Sequence, residues 1–239
     1  MTAVFLALAA AGCAKGLSAP GRPGPDSVVK APDAVLDFAT LYGSNCAGCH
    51  GSEGKGGAAI ALNDPVYLAI ADDATIRRVT ARGVRGTAMP AFAREAGGML
   101  TDAQVDVIVS GIRSRWAQPA ALGDTKPPPY TAQVRGDPER GRTAFGTYCA
   151  SCHGADGAGS PKASSVVDGS YLALVSDQYL RTVTIVGRRE LGAPDWRADL
   201  PGRPMSAEDV SDVVAWLAAR RPDVPGRPYP AQPIAGGSQ

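Results

Sequence analysis

Cys46-Ala47-Gly48-Cys49-His50 returns later in the chain as Cys149-Ala150-Ser151-Cys152-His153, and the residues around the first copy return with the second. With the motifs in register, Tyr42-Gly43-Ser44-Asn45 faces Phe145-Gly146-Thr147-Tyr148. His50-Gly51-Ser52-Glu53-Gly54-Lys55-Gly56 faces His153-Gly154-Ala155-Asp156-Gly157-Ala158-Gly159. Leu62 to Leu68 faces Val167 to Leu172 with one residue of slippage, Ile76-Arg77-Arg78-Val79 faces Leu180-Arg181-Thr182-Val183, and Thr101 to Val105 faces Ser206 to Val210. Self-similarity of this extent means two copies of one folded unit rather than one large core. The units are expected over residues 33–117 and 136–221. Residues 118–135, with Pro127-Pro128-Pro129, read as a stiff, extended linker. A tether over 14–32 precedes the first unit, and a Pro/Gly-rich tail over 222–239 follows the second.

The pattern inside each unit is helical. A first helix is expected to lead into the motif, from Ala34 to Tyr42 and from Glu139 to Thr147, with an aromatic residue four positions before the first cysteine (Tyr42, Phe145). A second is expected to start at Asp73 or Asp177, carrying Ile76 and Val79, or Leu180 and Val183, on one face. A third follows the N-caps Thr101 and Ser206, with Val105, Ile108 and Val109, or Val210, Val213, Val214 and Leu217, at helical spacing. No alternating strand pattern of any length appears. The fold class is therefore all-α, with about three helices in each of two tandem units.

C-x-x-C-H is the signature of covalent haem attachment. Two thiols separated by two residues can each add to one vinyl group of the same porphyrin, and the next residue sets an imidazole under the iron. The motifs use both histidines of the chain and four of its five cysteines. Cys46 and Cys49, and Cys149 and Cys152, are thus the expected thioether positions for two haems c, with His50 and His153 as the proximal iron ligands. A thiol oxidoreductase would want a βαβ context for its C-x-x-C, which is lacking. A structural zinc site built from both pairs would leave the two histidines and the parallel flanks unexplained.

A net charge of +1 gives no push toward nucleic acid. Aromatic content is only 6%, so the cores are thin unless a large apolar cofactor fills them. Val4 to Ala11 is a short apolar run ending in Ala10-Ala11-Gly12-Cys13, the pattern of an export signal. Small residues before a cysteine resemble the lipobox of bacterial lipoproteins. That resemblance implies lipidation at Cys13, with residues 1–13 as the signal segment, and a place on the periplasmic side of a bacterial membrane. The run is too short to span a bilayer.

Each unit resembles a class I cytochrome c domain, in its C-x-x-C-H-G, its Met-Pro loop and its C-terminal apolar helix. The resemblance implies single-electron transfer between redox protein partners, as a tethered carrier or as a subunit of a respiratory or photosynthetic membrane complex. No catalytic constellation stands out. It also implies a distal methionine in the loop before the last helix. In the first unit that is Met89, in Gly86-Thr87-Ala88-Met89-Pro90, with Met99 as the rival. The second unit departs from the pattern, because Met89 faces Ala193 in Gly192-Ala193-Pro194-Asp195-Trp196. Its single methionine, Met205, faces Leu100, a staple position at a helix entry. Either the loop brings Met205 to the iron, or the iron is five-coordinate or water-bound, or the methionine is lost in a haem used for electron transfer alone. An open second iron would allow a peroxidase-like or gas-binding alternative.

Overall fold

The computed structural model describes residues 30–222 apart from 86, 198, 199 and 201. The expected signal segment with Cys13, most of the tether and nearly all of the tail lie outside the described residues. Among those residues the chain is helical: ten α-helices, four short 3-10 turns and two isolated bridges, Ala93 with Leu100 and Arg188 with Ala193. None of the helices is long and apolar enough to cross a membrane.

Each unit has five helices, two more than the apolar periodicity suggests. The first unit contains α1 (Phe38–Asn45), α2 (Ala47–His50), α3 (Pro65–Ile70), α4 (Asp73–Arg82) and α5 (Asp102–Trp116). The second contains α6 (Pro138–Tyr148), α7 (Ala150–His153), α8 (Gly169–Leu174), α9 (Asp177–Val186) and α10 (Ala207–Ala218). The additional ones are too short to show a period. They are set instead by local chemistry: Asp64 and Asp168 cap α3 and α8 through their carboxylates. The first helix begins at Phe38 rather than Ala34, because Asp37 accepts from the Thr40 N–H at 2.8 Å and fixes the cap there. The expected N-caps hold, Thr101 and Ser206 each forming a reciprocal capping box with the residue three positions on.

The first and last helices of each unit cross closely, and the two crossings exchange large for small. Phe38 on α1 fills the space at Gly111 on α5, where a Cβ would lie 2.0 Å from the ring. In the second unit the same register places Gly141 on α6 against Trp216 on α10, where a Cβ would lie 2.0 Å from the Asp212 carbonyl oxygen and 2.7 Å from Trp216 Cβ. At each crossing one large aromatic residue lies beside a glycine, on opposite helices in the two units. Around it Tyr42 meets Trp116 edge-on at 5.1 Å, and Phe145 stacks on Trp216 at 4.3 Å.

The linker is docked as well as stiff. Residues Pro119–Leu122 form a 3-10 turn, and the Pro129 and Tyr130 carbonyls accept from the buried Arg181 of α9. The units also touch directly. Arg188, just after α9, donates to the Gly57 and Ala58 carbonyls of the first unit at 3.0 and 3.3 Å. Arg188-Arg189 and Arg220-Arg221 read in the sequence as a solvated face, yet Arg188 is a seam residue. Arg221 donates to the Leu172 and Val175 carbonyls at 3.0 and 2.9 Å, the service Arg113 performs for Leu68 and Ala71.

Candidate haem-binding sites

Each C-x-x-C-H folds as a single helical turn, with His50 N–H on the Cys46 carbonyl and His153 N–H on the Cys149 carbonyl, both at 3.0 Å. One turn brings positions i, i+3 and i+4 onto one face. Cys46, Cys49 and His50 therefore stand together, as do Cys149, Cys152 and His153. Gly51 and Gly154 end these turns at φ of 81° and 80°, a conformation that costs glycine little.

The loop after each motif returns to hold its histidine. His50 Nδ1 lies 2.8 Å from the Ile60 carbonyl oxygen, and His153 Nδ1 lies 2.8 Å from that of Ser164. A carbonyl only accepts, so Nδ1 carries the proton and the lone pair is left on Nε2, the arrangement a metal-ligating histidine needs. Burial lowers the His50 pKa against the raising effect of its Ile60 hydrogen bond, which favours the neutral, ligating imidazole. Sequence patterns alone do not show Ile60 and Ser164, since they act through main-chain oxygens.

The four thiols are unpaired. Burial, with the neighbouring cysteine adding to it, pushes Cys46 up to about 11 and Cys149 up to about 12. A dithiol catalyst needs the opposite, a depressed thiol pKa. Among the described residues no cluster of three or more His, Cys, Asp or Glu side chains is placed to hold a metal ion, so the two cysteine pairs do not converge. The set fits a haem c at each motif: two thiols and an imidazole, its Nδ1 bonded to a main-chain carbonyl, on one helical turn.

The distal loops follow in register. Gly83 and Gly187 end α4 and α9 at φ of 64° and 74°. The next residue's N–H then donates at 3.0 Å, from Val84 to the Met89 carbonyl and from Arg188 to the Ala193 carbonyl. Further on, Leu100 N–H donates to Phe92 and Met205 N–H to Trp196, both at 2.8 Å. In three dimensions, as in sequence, Ala193 takes the place of Met89 and Met205 that of Leu100. Met89 is half-buried, Met205 is 5% exposed, and Met99 projects at 79% exposure.

The second loop carries a feature the sequence does not advertise. Asp195, its side chain 5% exposed, accepts from Arg189 Nη2 at 2.6 Å, from Arg197 Nη2 at 2.5 Å and Nε at 3.0 Å, and from the Arg197 N–H at 3.0 Å. Burial by itself would raise its pKa, but the hydrogen bonds and charges of the two arginines outweigh burial and hold the carboxyl below the ordinary range. The counterparts of Asp195 and Arg197 in the first unit are Ala91 and Ala93, so no such cluster forms there.

Residues 33–110 and 136–217 each match the family described as cytochrome C oxidase, cbb3-type, subunit III. A cbb3-type cytochrome c oxidase subunit CcoP from Azospirillum sp. is 31% identical over 65% of this chain and 56% of its own length. A subunit FixP of the same oxidase type from Sinorhizobium medicae is 33% identical over 53% of this chain and 41% of its own length. A cytochrome bc1 complex cytochrome c subunit from Mycobacterium tuberculosis is 26% identical over 90% of this chain and 73% of its own length. The chain thus spans about half the length of the first two relatives.

Proposed function

The chain belongs to the cbb3-type cytochrome c oxidase subunit III family, and from that footing we propose that it relays single electrons through two haems c, as a subunit or tethered carrier of a membrane respiratory complex. Both units are c-type cytochrome domains. The observation that carries the proposal is the duplicated helical turn, on which a thiol pair and an imidazole with its Nδ1 bonded to a main-chain carbonyl stand together twice.

Cys46 with Cys49, and Cys149 with Cys152, hold the porphyrins as thioethers. His50 and His153 would hold the irons through their imidazoles, and Met89 would offer the first a neutral, soft sulfur. The haem supplies a one-electron change between Fe(II) and Fe(III). The chain's contribution is ligation, burial and spacing, none of which calls for an acid, a base or a nucleophile. Methionine ligation raises a haem's potential, so two irons with unlike distal positions titrate as two unequal steps. Cys13 carries a lipid and holds the chain at the periplasmic membrane face, where tethering raises its effective concentration near a membrane partner.

The test is a haem count with a spectroelectrochemical titration of the exported protein. Two haems per chain, neither extractable into acidified organic solvent, and two one-electron waves are expected. Loss of one haem in Cys49→Ala and of the other in Cys152→Ala assigns the sites. A haem-free chain that binds zinc or reduces disulfides overturns the proposal.

A further inference from the structure

One chemical difference between the units falls at a sixth coordination position. We propose that the iron held by His153 keeps its distal position open to a small neutral diatomic ligand of the carbon monoxide or nitric oxide class, and that Ala193 is the residue that opens it. The inference rests on the assignment of both motifs as haem sites.

Three observations carry it. Ala193 has the backbone place of Met89, with the same 3.0 Å hydrogen bond to its carbonyl from the residue that follows the helix-ending glycine, and a methyl group cannot ligate iron. Met205, the unit's only methionine, is committed elsewhere. Its N–H is bonded to Trp196, its side chain is buried directly before the N-cap Ser206, and its counterpart Leu100 is buried in the same way. To reach the iron it would have to leave a staple position above the fully buried Val210.

The third observation is that the second loop holds its shape without iron. The first loop shares the anchoring bonds of its counterpart, from the Phe92 and Ala93 N–H groups to the Thr80 and Ala81 carbonyls at 3.2 and 3.1 Å, but it has neither a return bond from Met89 N–H to Val84 nor a buried carboxylate. In the second, Arg188 and Ala193 exchange two hydrogen bonds at 3.0 Å, Trp196 N–H donates to Ile185 at 2.9 Å, and Asp195 is gripped by Arg189 and Arg197. A loop tied in this way needs no iron–sulfur bond to keep its shape. The ligand adds to ferrous iron through its own lone pair, forming one coordinate bond and displacing at most a water. No electron or proton is transferred.

Carbon monoxide titration of the reduced, full-length holoprotein, followed in the Soret band, reads the number of open irons. The wild type is expected to take up one carbon monoxide per chain. Ala193→Met should lower uptake to none, Met89→Ala should raise it to two, and Met205→Leu should leave it at one. No uptake by the wild type overturns the inference, and a gain of uptake on Met205→Leu then identifies Met205 as the ligand. Unchanged uptake in a folded Ala193→Met protein also overturns it. A haem count below two per chain instead defeats the assignment of the motifs, and uptake of two by the wild type removes Met89 as a ligand.

Discussion

Replacing Asp195 with asparagine separates charge from shape in the loop that carries Ala193. The amide keeps one oxygen, so the Arg197 N–H, now 3.0 Å from the carboxylate, retains an acceptor. The other oxygen becomes an NH2 group that faces guanidinium donors. Arg189 and Arg197 are themselves 46% and 39% exposed and can turn to water, so each ion pair is worth only about 0.2–1 kcal/mol. The larger share is the buried amide left facing donors, about 1–3 kcal/mol. Together a loss of about 1.4–5 kcal/mol is expected, which lowers the melting point of a domain this size by about 6–40 °C. The carboxyl is held below its ordinary pKa. Its stabilisation is therefore fully present above the unfolded value of about 4 and is lost as pH falls through the folded one. Urea unfolding followed by Soret circular dichroism should show the full difference between variant and wild type at neutral pH. The difference should shrink as pH drops well below about 4, where the wild-type group is also neutral. An unchanged midpoint at neutral pH, or a loss that stays constant down the pH scale, refutes the ion-pair account of the loop.

Four further outcomes follow from the packing. Gly141→Ala forces a Cβ to within 2.0 Å of the Asp212 carbonyl oxygen and should cost about 1–3 kcal/mol in urea unfolding. Gly146→Ala on the same helix has nothing within 4 Å and should be neutral or gain up to about 1 kcal/mol. Arg188→Ala removes both side-chain bonds across the seam, so calorimetry should show two unfolding steps drawn further apart and a loss of about 1–2 kcal/mol. Arg181→Met keeps bulk but strands the Pro129 carbonyl and leaves the Tyr130 carbonyl with Gln178 Nε2 alone. Limited proteolysis should then cut the 118–135 segment several-fold faster than in the wild type.

The repeat made much of this protein legible. The all-α class, the paired units and the caps at Thr101 and Ser206 came from residue identity and spacing, and the shift from Met89 to Ala193 came from the same alignment. What stayed hidden acts through main-chain atoms or through residues distant in sequence. The carbonyls of Ile60 and Ser164 carry no side-chain signal, although they set both imidazoles. The α3 and α8 turns span too few residues to show a period, and only their Asp caps and the Pro at Pro65 mark them. Arg188 and Arg221 look like surface charge because arginine is usually solvated. Here their forks reach carbonyls that no pattern connects to them. The exchange of Phe38 and Gly111 for Gly141 and Trp216 is visible in register, but only the crossing explains why both positions changed together.

Duplication would leave two interchangeable units if each kept its own contacts. The seam shows why these two are not interchangeable. Arg188 pairs through its backbone with Ala193, in the loop that lacks a methionine, and through its side chain with Gly57 and Ala58 of the other unit. Those carbonyls lie two and three residues before Ile60, whose own carbonyl holds His50. The repeat counterpart of Arg188 is Val84, which has no donor to send across, so the first unit cannot return the contact. The Arg188 side chain thus joins this loop of the second unit to the loop before Ile60 of the first, and Arg189 beside it lies 4.0 Å from the Asp64 carboxylate of the first unit. Three of the substitutions that set the units apart, at Ala193, Asp195 and Arg188, fall within this one loop. They fall where the second unit meets its neighbour and where Met89 of the first unit has its counterpart, while the attachment turns at Cys46–His50 and Cys149–His153 kept the same geometry.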